Sequence, residues 1–182
     1  ISAPLQPQIL VDGRMIKRAP EPEMHMAGFT VGLGPGFTAG VDCHAVIETK
    51  RGPYLGRVYY QGSAEPDSGQ PETVLGHQGD RVLRAPCAGI LKNAVDIGDQ
   101  VEPGQPVTAV DGQIIRAPFR GLLRGLLMDG LRVVPGDKIG DLDPRDDPRL
   151  IHLVSDKALA IGGGVLEAVL SRPELRSQLS QP

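Results

Sequence analysis

Residues 84–91 read RAPCAGIL and residues 116–123 read RAPFRGLL. The two stretches are 32 residues apart, and the spacing persists beyond them. Gly98, Val101, Pro103 and Gly104 recur as Gly130, Val133, Pro135 and Gly136, and Asp111 recurs as Asp143. The halves superpose without a gap. A fixed period marks one supersecondary unit used twice, each copy burying the other's apolar face. The unit is β rather than α, because each short apolar run is broken by Gly, Pro and Asp at turn positions.

Each half reads as strand, Ala-Pro, Gly, strand, a Gly-Asp or Asp-Gly turn, Val-x-Pro-Gly and a closing strand. Over roughly residues 80–143 this resembles the biotinyl/lipoyl carrier domain, a flattened barrel-sandwich of two interlocked halves related by a pseudo-dyad. In that family the hairpin between the halves carries a lysine, in Met-Lys-Met or Asp-Lys, that takes the cofactor. The matching stretch here is Val110-Asp111-Gly112-Gln113-Ile114, and the lysines of the module, Lys92 and Lys138, lie away from the junction. A prosthetic arm needs an amine projecting from that turn, so neither biotin nor lipoate is expected. The reading is a structural or docking barrel.

A chain of 182 residues holds one or two small domains with cores of their own. The net charge of −3 gives no basic field for nucleic acid. With no Trp, three Tyr and three Phe, stacking platforms for single strands are not expected either. No apolar run is long enough to cross a bilayer, and no charged region followed by an apolar one opens the sequence. Two cysteines, Cys43 and Cys87, are too few for a disulfide scaffold, and a cytoplasmic location is expected. The first residue is Ile, which suggests a fragment lacking an N-terminal portion.

The expected fold is mainly β, of the α+β kind, in three parts. Residues 1–79 form a β-rich region with a glycine-rich loop, 80–143 the barrel-sandwich, and 144–182 a C-terminal helical segment. Residues 1–7 read as an extended, Pro-rich start, Lys17 to Glu23 as a charged loop, and Ser63 to Thr73 as a long polar loop. Strands are expected at Ile9–Val11, Phe29–Leu33, Ala45–Thr49 and Leu55–Gln61. Ser155 reads as the N-cap of a helix running to about Leu170, with Asp156 supporting its positive end. Its apolar face is expected from Leu159, Val165, Leu166, Val169 and Leu170. Gly162-Gly163-Gly164 inside it marks either close packing against another backbone or a break.

Chemistry is sought first in Gly32-Leu33-Gly34-Pro35-Gly36-Phe37-Thr38-Ala39-Gly40. Glycines after a strand let backbone N–H groups approach an anion, and Thr38 adds a hydroxyl. The run is neither a P-loop nor a full G-x-G-x-x-G, so a tight connection between strands stays open as the alternative. Lys50 and Arg51 follow, and with Gly32, Gly34, Gly36 and Thr38 they form the candidate cofactor-binding set. On a regular strand Asp42, His44 and Glu48 share one face, with Cys43 opposite. These four are the candidates for proton or group transfer, while the spacing lacks the paired ligands of a structural zinc site, and no metal site is read. Cys87 corresponds to Phe119 of the second repeat and is expected in the core. His25, His77 and His152 read as loop or surface residues, and Ser155-Asp156-Lys157 as a capped, charged helix start.

Three separated motifs, VGLGPGFTAGVDCHAVIETKRG (31–52), LGRVYYQGSAEPDSG (55–69) and VSDKALAIGGGVLEAVL (154–170), flank the repeats. Together they resemble the YqeB-like accessory proteins of selenium-dependent molybdenum hydroxylases, related to xanthine and CO dehydrogenase maturation factors. The resemblance covers the chain from about residue 9 onward. It implies an accessory or maturation role toward a molybdenum hydroxylase or another maturation protein as partner. The implied ligand is a molybdopterin-type or nucleotide cofactor. Two other readings stay open, a non-catalytic docking module and a sulfur or selenium transfer enzyme, as does a homo-oligomer.

Overall fold

The computed structural model of the chain describes residues 7–18, 20, 24–69 and 71–179. The reading of the Pro-rich start falls, up to residue 6, outside the described residues, as do positions 19, 21–23 and 70 of the two expected loops. The described chain divides into two compact units, one of residues up to Ser68 together with those from Val154, the other Gly69–Leu153.

The first unit is built on a four-stranded sheet of β1 (Ile9–Asp12), β2 (Phe29–Leu33), β4 (Ala45–Ile47) and β5 (Val58–Tyr59), in that spatial order. β1, β2 and β4 run parallel and β5 closes the edge antiparallel. All three residues of β4 are buried, as in a parallel strand covered on both faces. Ala45 and Ile47 share a core with Phe29, Val31, Ile161 and Ala168 on the face covered by helix α1 (Asp156–Leu170). Val46 points the other way, into a cluster with Phe37, Ala39, Cys43 and Ala64 around the small ladder of β3 (Thr38–Ala39) and β6 (Gly62–Ser63). A second helix, α2 (Pro173–Leu179), contributes Leu175 to the α1-side core. The C-terminal helical segment is therefore part of this unit rather than a body of its own.

Helix α1 starts where Ser155 predicts, with Ser155 Oγ accepting from Ala158 N–H at 3.1 Å. It runs unbroken through the three glycines. Its buried stripe differs from the expected one. Leu159 and Leu166 are 64% and 56% exposed, while Ile161, Gly164, Ala168 and Val169 face the sheet. Gly164 decides this rotation. A Cβ there would strike the Gly56 carbonyl and lie 2.8 Å from Ile47 Cγ2, so helix and sheet approach at contact distance only with glycine between them.

The second unit holds two four-stranded sheets, β11-β10-β8-β13 and β7-β14-β12-β9. Their strands are β7 (Val82–Arg84), β8 (Gly89–Asn93), β9 (Gln100–Val101), β10 (Pro106–Val110), β11 (Gln113–Arg116), β12 (Gly121–Leu126), β13 (Arg132–Val133) and β14 (Lys138–Asp143). Each repeat sends strands into both sheets, and the hydrogen bonds come in swapped pairs. Gly104 N–H donates to Ala117 O at 2.8 Å, and Gly136 N–H to Ala85 O at 2.9 Å. Gly98 donates to Leu123 O and Gly130 to Leu91 O, both at 2.9 Å. Arg116 and Arg84 reach the carbonyls of Gly104 and Gly136 in the same manner. This is the interlocked pseudo-two-fold barrel-sandwich expected from the 32-residue period. The glycine of each Arg-Ala-Pro motif has one cause in both halves. A Cβ on Gly89 would lie 2.5 Å from the Asp111 side chain, and one on Gly121 2.7 Å from the Asp143 carbonyl.

Candidate functional site

Because β1, β2 and β4 are parallel, the segments that leave them open on one edge of the sheet, their carboxyl edge. Behind β1, Arg14 turns back onto the buried carboxylate of Asp12. Behind β2 lies the Gly34-Pro35-Gly36 turn, and behind β4 the run Glu48-Thr49-Lys50-Arg51. The sequence reading of Gly34, Gly36, Lys50 and Arg51 as one neighbourhood follows from this parallel arrangement.

The glycine-rich turn is used differently from a phosphate loop. Gly34 N–H already donates to Ile47 O at 2.9 Å, and Thr38 N–H to Asp42 Oδ1 at 2.8 Å. Thr38 Oγ1 bonds Ser63 Oγ at 2.9 Å. Gly32 leaves room for the Phe37 ring, Gly34 for Thr49 and Gly36 for the Arg18 backbone. Gly34 and Gly36 also hold φ near +80° and +107°. The glycines thus give the edge its shape through close packing. Bulky residues at these two positions disturb the fold itself, so they are not clean probes of binding.

Glu48 organises the next segment. Its side chain is fully buried, and Oε1 accepts from the N–H groups of Thr49 and Lys50 at 2.8 and 2.7 Å, while Oε2 accepts from Glu65 N–H at 2.8 Å. One carboxylate therefore ties the Lys50-Arg51 turn to the chain at Glu65. Lys50 then meets Glu65 at 3.3 Å, and Lys17 meets Asp67 at 2.9 Å. Arg51 takes both oxygens of Asp156, a bidentate pair whose guanidinium, with the Lys157 N–H, holds the Asp156 carboxyl down to about 2.

Lys157 follows Asp156 in the first turn of α1 and is partly buried. Among the described residues it has no ion-pair or hydrogen-bond partner for its amine. Burial lowers its pKa, the charges of Arg51 and Lys17 lower it further, and Asp67 and Glu48 pull the other way. Lys17 and Lys157 were absent from the candidate set read from sequence. The available signal was a lysine in the first turn of a capped helix, where the macrodipole disfavours a cation.

The grouping of Asp42, His44 and Glu48 on one strand face does not form. β4 spans only Ala45–Ile47, and the chain before it is turned back by the Asp42–Thr38 bond. His44 sits at the amino end of β4 and Glu48 at its carboxyl end, roughly 13 Å apart at strand rise. Thr30 N–H donates to His44 Nδ1 at 3.0 Å, so the imidazole fastens β2 to β4, and burial followed by the nearby Arg172 lowers its pKa. Cys43 is 1% exposed and gives its proton to Ala45 O at 3.3 Å. Burial, then the hydrogen bond and charge of Asp42, push its thiol up to about 12, the reverse of what a nucleophile requires. Among the described residues no three His, Cys, Asp or Glu side chains gather as metal ligands. Of the other residues singled out, Cys87 is partly buried with its thiol 3.6 Å from Val110 O. His77 is no bystander, since it bonds Asp80 at 2.6 Å and stacks on Phe119 at 3.9 Å.

The chain is similar to a curated protein of Escherichia coli (strain K12), "Uncharacterized protein YqeB", with 51% identity over 166 residues. The match covers 91% of the chain and supports a YqeB-like family. The chain spans about a third of the length of that relative, 31%. No protein-family model matches it. No helix among the described residues is long and apolar enough to cross a membrane.

Proposed function

We propose that this YqeB homologue is an accessory or maturation protein for a molybdenum hydroxylase, and that it holds a phosphate-bearing pterin or nucleotide at the carboxyl edge of its parallel sheet. The observation that carries the ligand half is that Lys17, from the segment behind β1, and the adjacent Lys50 and Arg51, from the segment behind β4, lie on the edge shaped by Gly34 and Gly36. A phosphoryl group is the ligand class that such a set of cations recognises. The pathway half rests on the YqeB-like motifs.

The test is thermal denaturation with a nucleoside diphosphate and with a molybdopterin-type ligand. A ligand that binds only the folded chain adds about 2.7 kcal/mol at about 100 times its Kd. Stabilisation by either supports the reading, and its absence with both overturns it.

A docking module is the second reading, favoured by the outer face of α1. Leu159, Leu166 and Leu170 lie exposed there beside Gly162 and Gly163, which have open space above them. That module would change mass with concentration or retain a partner, without responding to small ligands. The sulfur-transfer reading has no support from Cys43 as it is held.

A further inference from the structure

Four features of Lys157 are unfavourable at once, and only the charges of Asp67 and Glu48, neither of them paired with its amine, act against them. Its amine is partly buried, where a charge needs a counter-ion. Its position in the first turn of α1 sets it against the helix macrodipole. Its neighbours include two more cations, Arg51 and Lys17. The carboxylates that pair with those cations, Asp156 and Asp67, leave Lys157 without an ion pair of its own. Lys50 is likewise engaged, by Glu65. Of Lys17, Lys50, Arg51 and Lys157, only Lys157 has no carboxylate partner among the described residues. Natural chains keep such locally unfavourable residues where function requires them.

We infer that Lys157 is the primary contact for the phosphoryl group of the bound ligand, its missing counter-ion being supplied by that group. The inference rests on the phosphate-binding reading above and adds the residue that makes the contact. An anion seated on Lys157 also meets Arg51 and Lys17, and it relieves the repulsion among the three. The chemistry is shared by free phosphate, a pyrophosphate linkage and a nucleotide, so each is a separate arm of the test.

The experiment follows thermal denaturation and calorimetric titration of the whole chain with inorganic phosphate, pyrophosphate and a nucleoside diphosphate. It compares the natural protein with Lys157→Met, Lys157→Arg and, as a control on the barrel, Lys92→Met. Lys157→Met is expected to melt at a higher temperature than the natural protein without anion, because an unpaired charge is gone. It is also expected to bind the best of the three probes at least tenfold more weakly, about 1.4 kcal/mol. Lys157→Arg and Lys92→Met are expected to keep the response. A structural role for Lys157 predicts the opposite first result, a lowered melting temperature in Lys157→Met, and would overturn the assignment. An undiminished anion response in Lys157→Met overturns it too, while leaving the wider phosphate reading in place. No response of the natural protein to any of the three probes overturns both. Proton titration of the lysine side chains by NMR gives an independent readout, since a bound anion should raise the Lys157 pKa more than that of Lys92.

Discussion

At Gly34 and Gly36 the backbone lies at φ near +80° and +107°, and a methyl group would meet Thr49 in one case and the Arg18 backbone in the other. Gly34→Ala and Gly36→Ala are each expected to cost about 2 kcal/mol or more in urea unfolding. Gly36→Ala should be the costlier, because a backbone moves aside less readily than a threonine side chain. Asp143 offers a pH-dependent counterpart. Burial alone would raise its pKa, but hydrogen bonds from the Arg145 side chain and backbone, with Arg124 beside them, outweigh burial and hold it at about 2. The folded pKa lies below the ordinary value, so the unfolded chain binds the proton more readily. The resulting stability, about 2 kcal/mol, is complete above about pH 5 and disappears as the pH falls toward 2. Asp143→Asn is expected to lose that stability at neutral pH. It should also flatten the acid limb of the stability curve, measured by denaturant unfolding at stepped pH.

Helix α1 separates three adjacent glycines that look alike in sequence. Gly164 is pressed against Gly56 O and Ile47, whereas Gly162 and Gly163 have nothing within 4 Å of the position a Cβ would take. Gly164→Ala is therefore expected to destabilise the chain by at least about 2 kcal/mol through overpacking. Gly162→Ala and Gly163→Ala should each stabilise it by about 0.5–1 kcal/mol through helix propensity and reduced unfolded-state entropy. Equal effects at the three positions, read from urea midpoints, would refute this account of how α1 docks. The helix start was legible from Ser155, since a cap is a local hydrogen bond. The buried face was legible only in part, at Val165 and Val169. Leu159, Leu166 and Leu170 satisfy helical periodicity as well as Ile161, Val165 and Val169 do, and only the space left at Gly164 by the sheet chooses between them.

On the scale of the whole chain, the unit of Gly69–Leu153 has its own apolar core, including Leu91, Val107, Leu123, Val133, Ile139 and Leu142. Its entry and exit strands are neighbours, with Val82 paired to Asp141. Arg81 ties the same base through Leu142 O at 3.1 Å and Asp141 at 3.6 Å. A fragment of residues 69–153 is therefore expected to fold alone and melt cooperatively. A flat, non-cooperative circular dichroism melt would contradict that. The first unit, in contrast, is assembled from two chain segments that flank the barrel. A fragment ending at Ser68 lacks α1 and leaves Ala45, Ile47 and Phe29 uncovered, so it is expected to remain unfolded or aggregate.

The sequence alone determined the barrel. Its period of 32 residues recurs in the structure, where Gly89 is set against Asp111 and Gly121 against Asp143, and where the Gly104–Ala117 and Gly136–Ala85 hydrogen bonds are swapped counterparts. It also determined that Lys50 and Arg51 follow a glycine-rich turn within one local stretch. Only the tertiary structure decided that β1, β2 and β4 run parallel, since parallel pairing joins distant segments and leaves no periodic trace. That pairing sent His44 and Glu48 to opposite ends of β4, buried the Cys43 thiol, and brought Lys17 and Lys157 to the edge where Lys50 and Arg51 already lay. Charges 140 residues apart become neighbours through packing, and no local spacing in the chain records it.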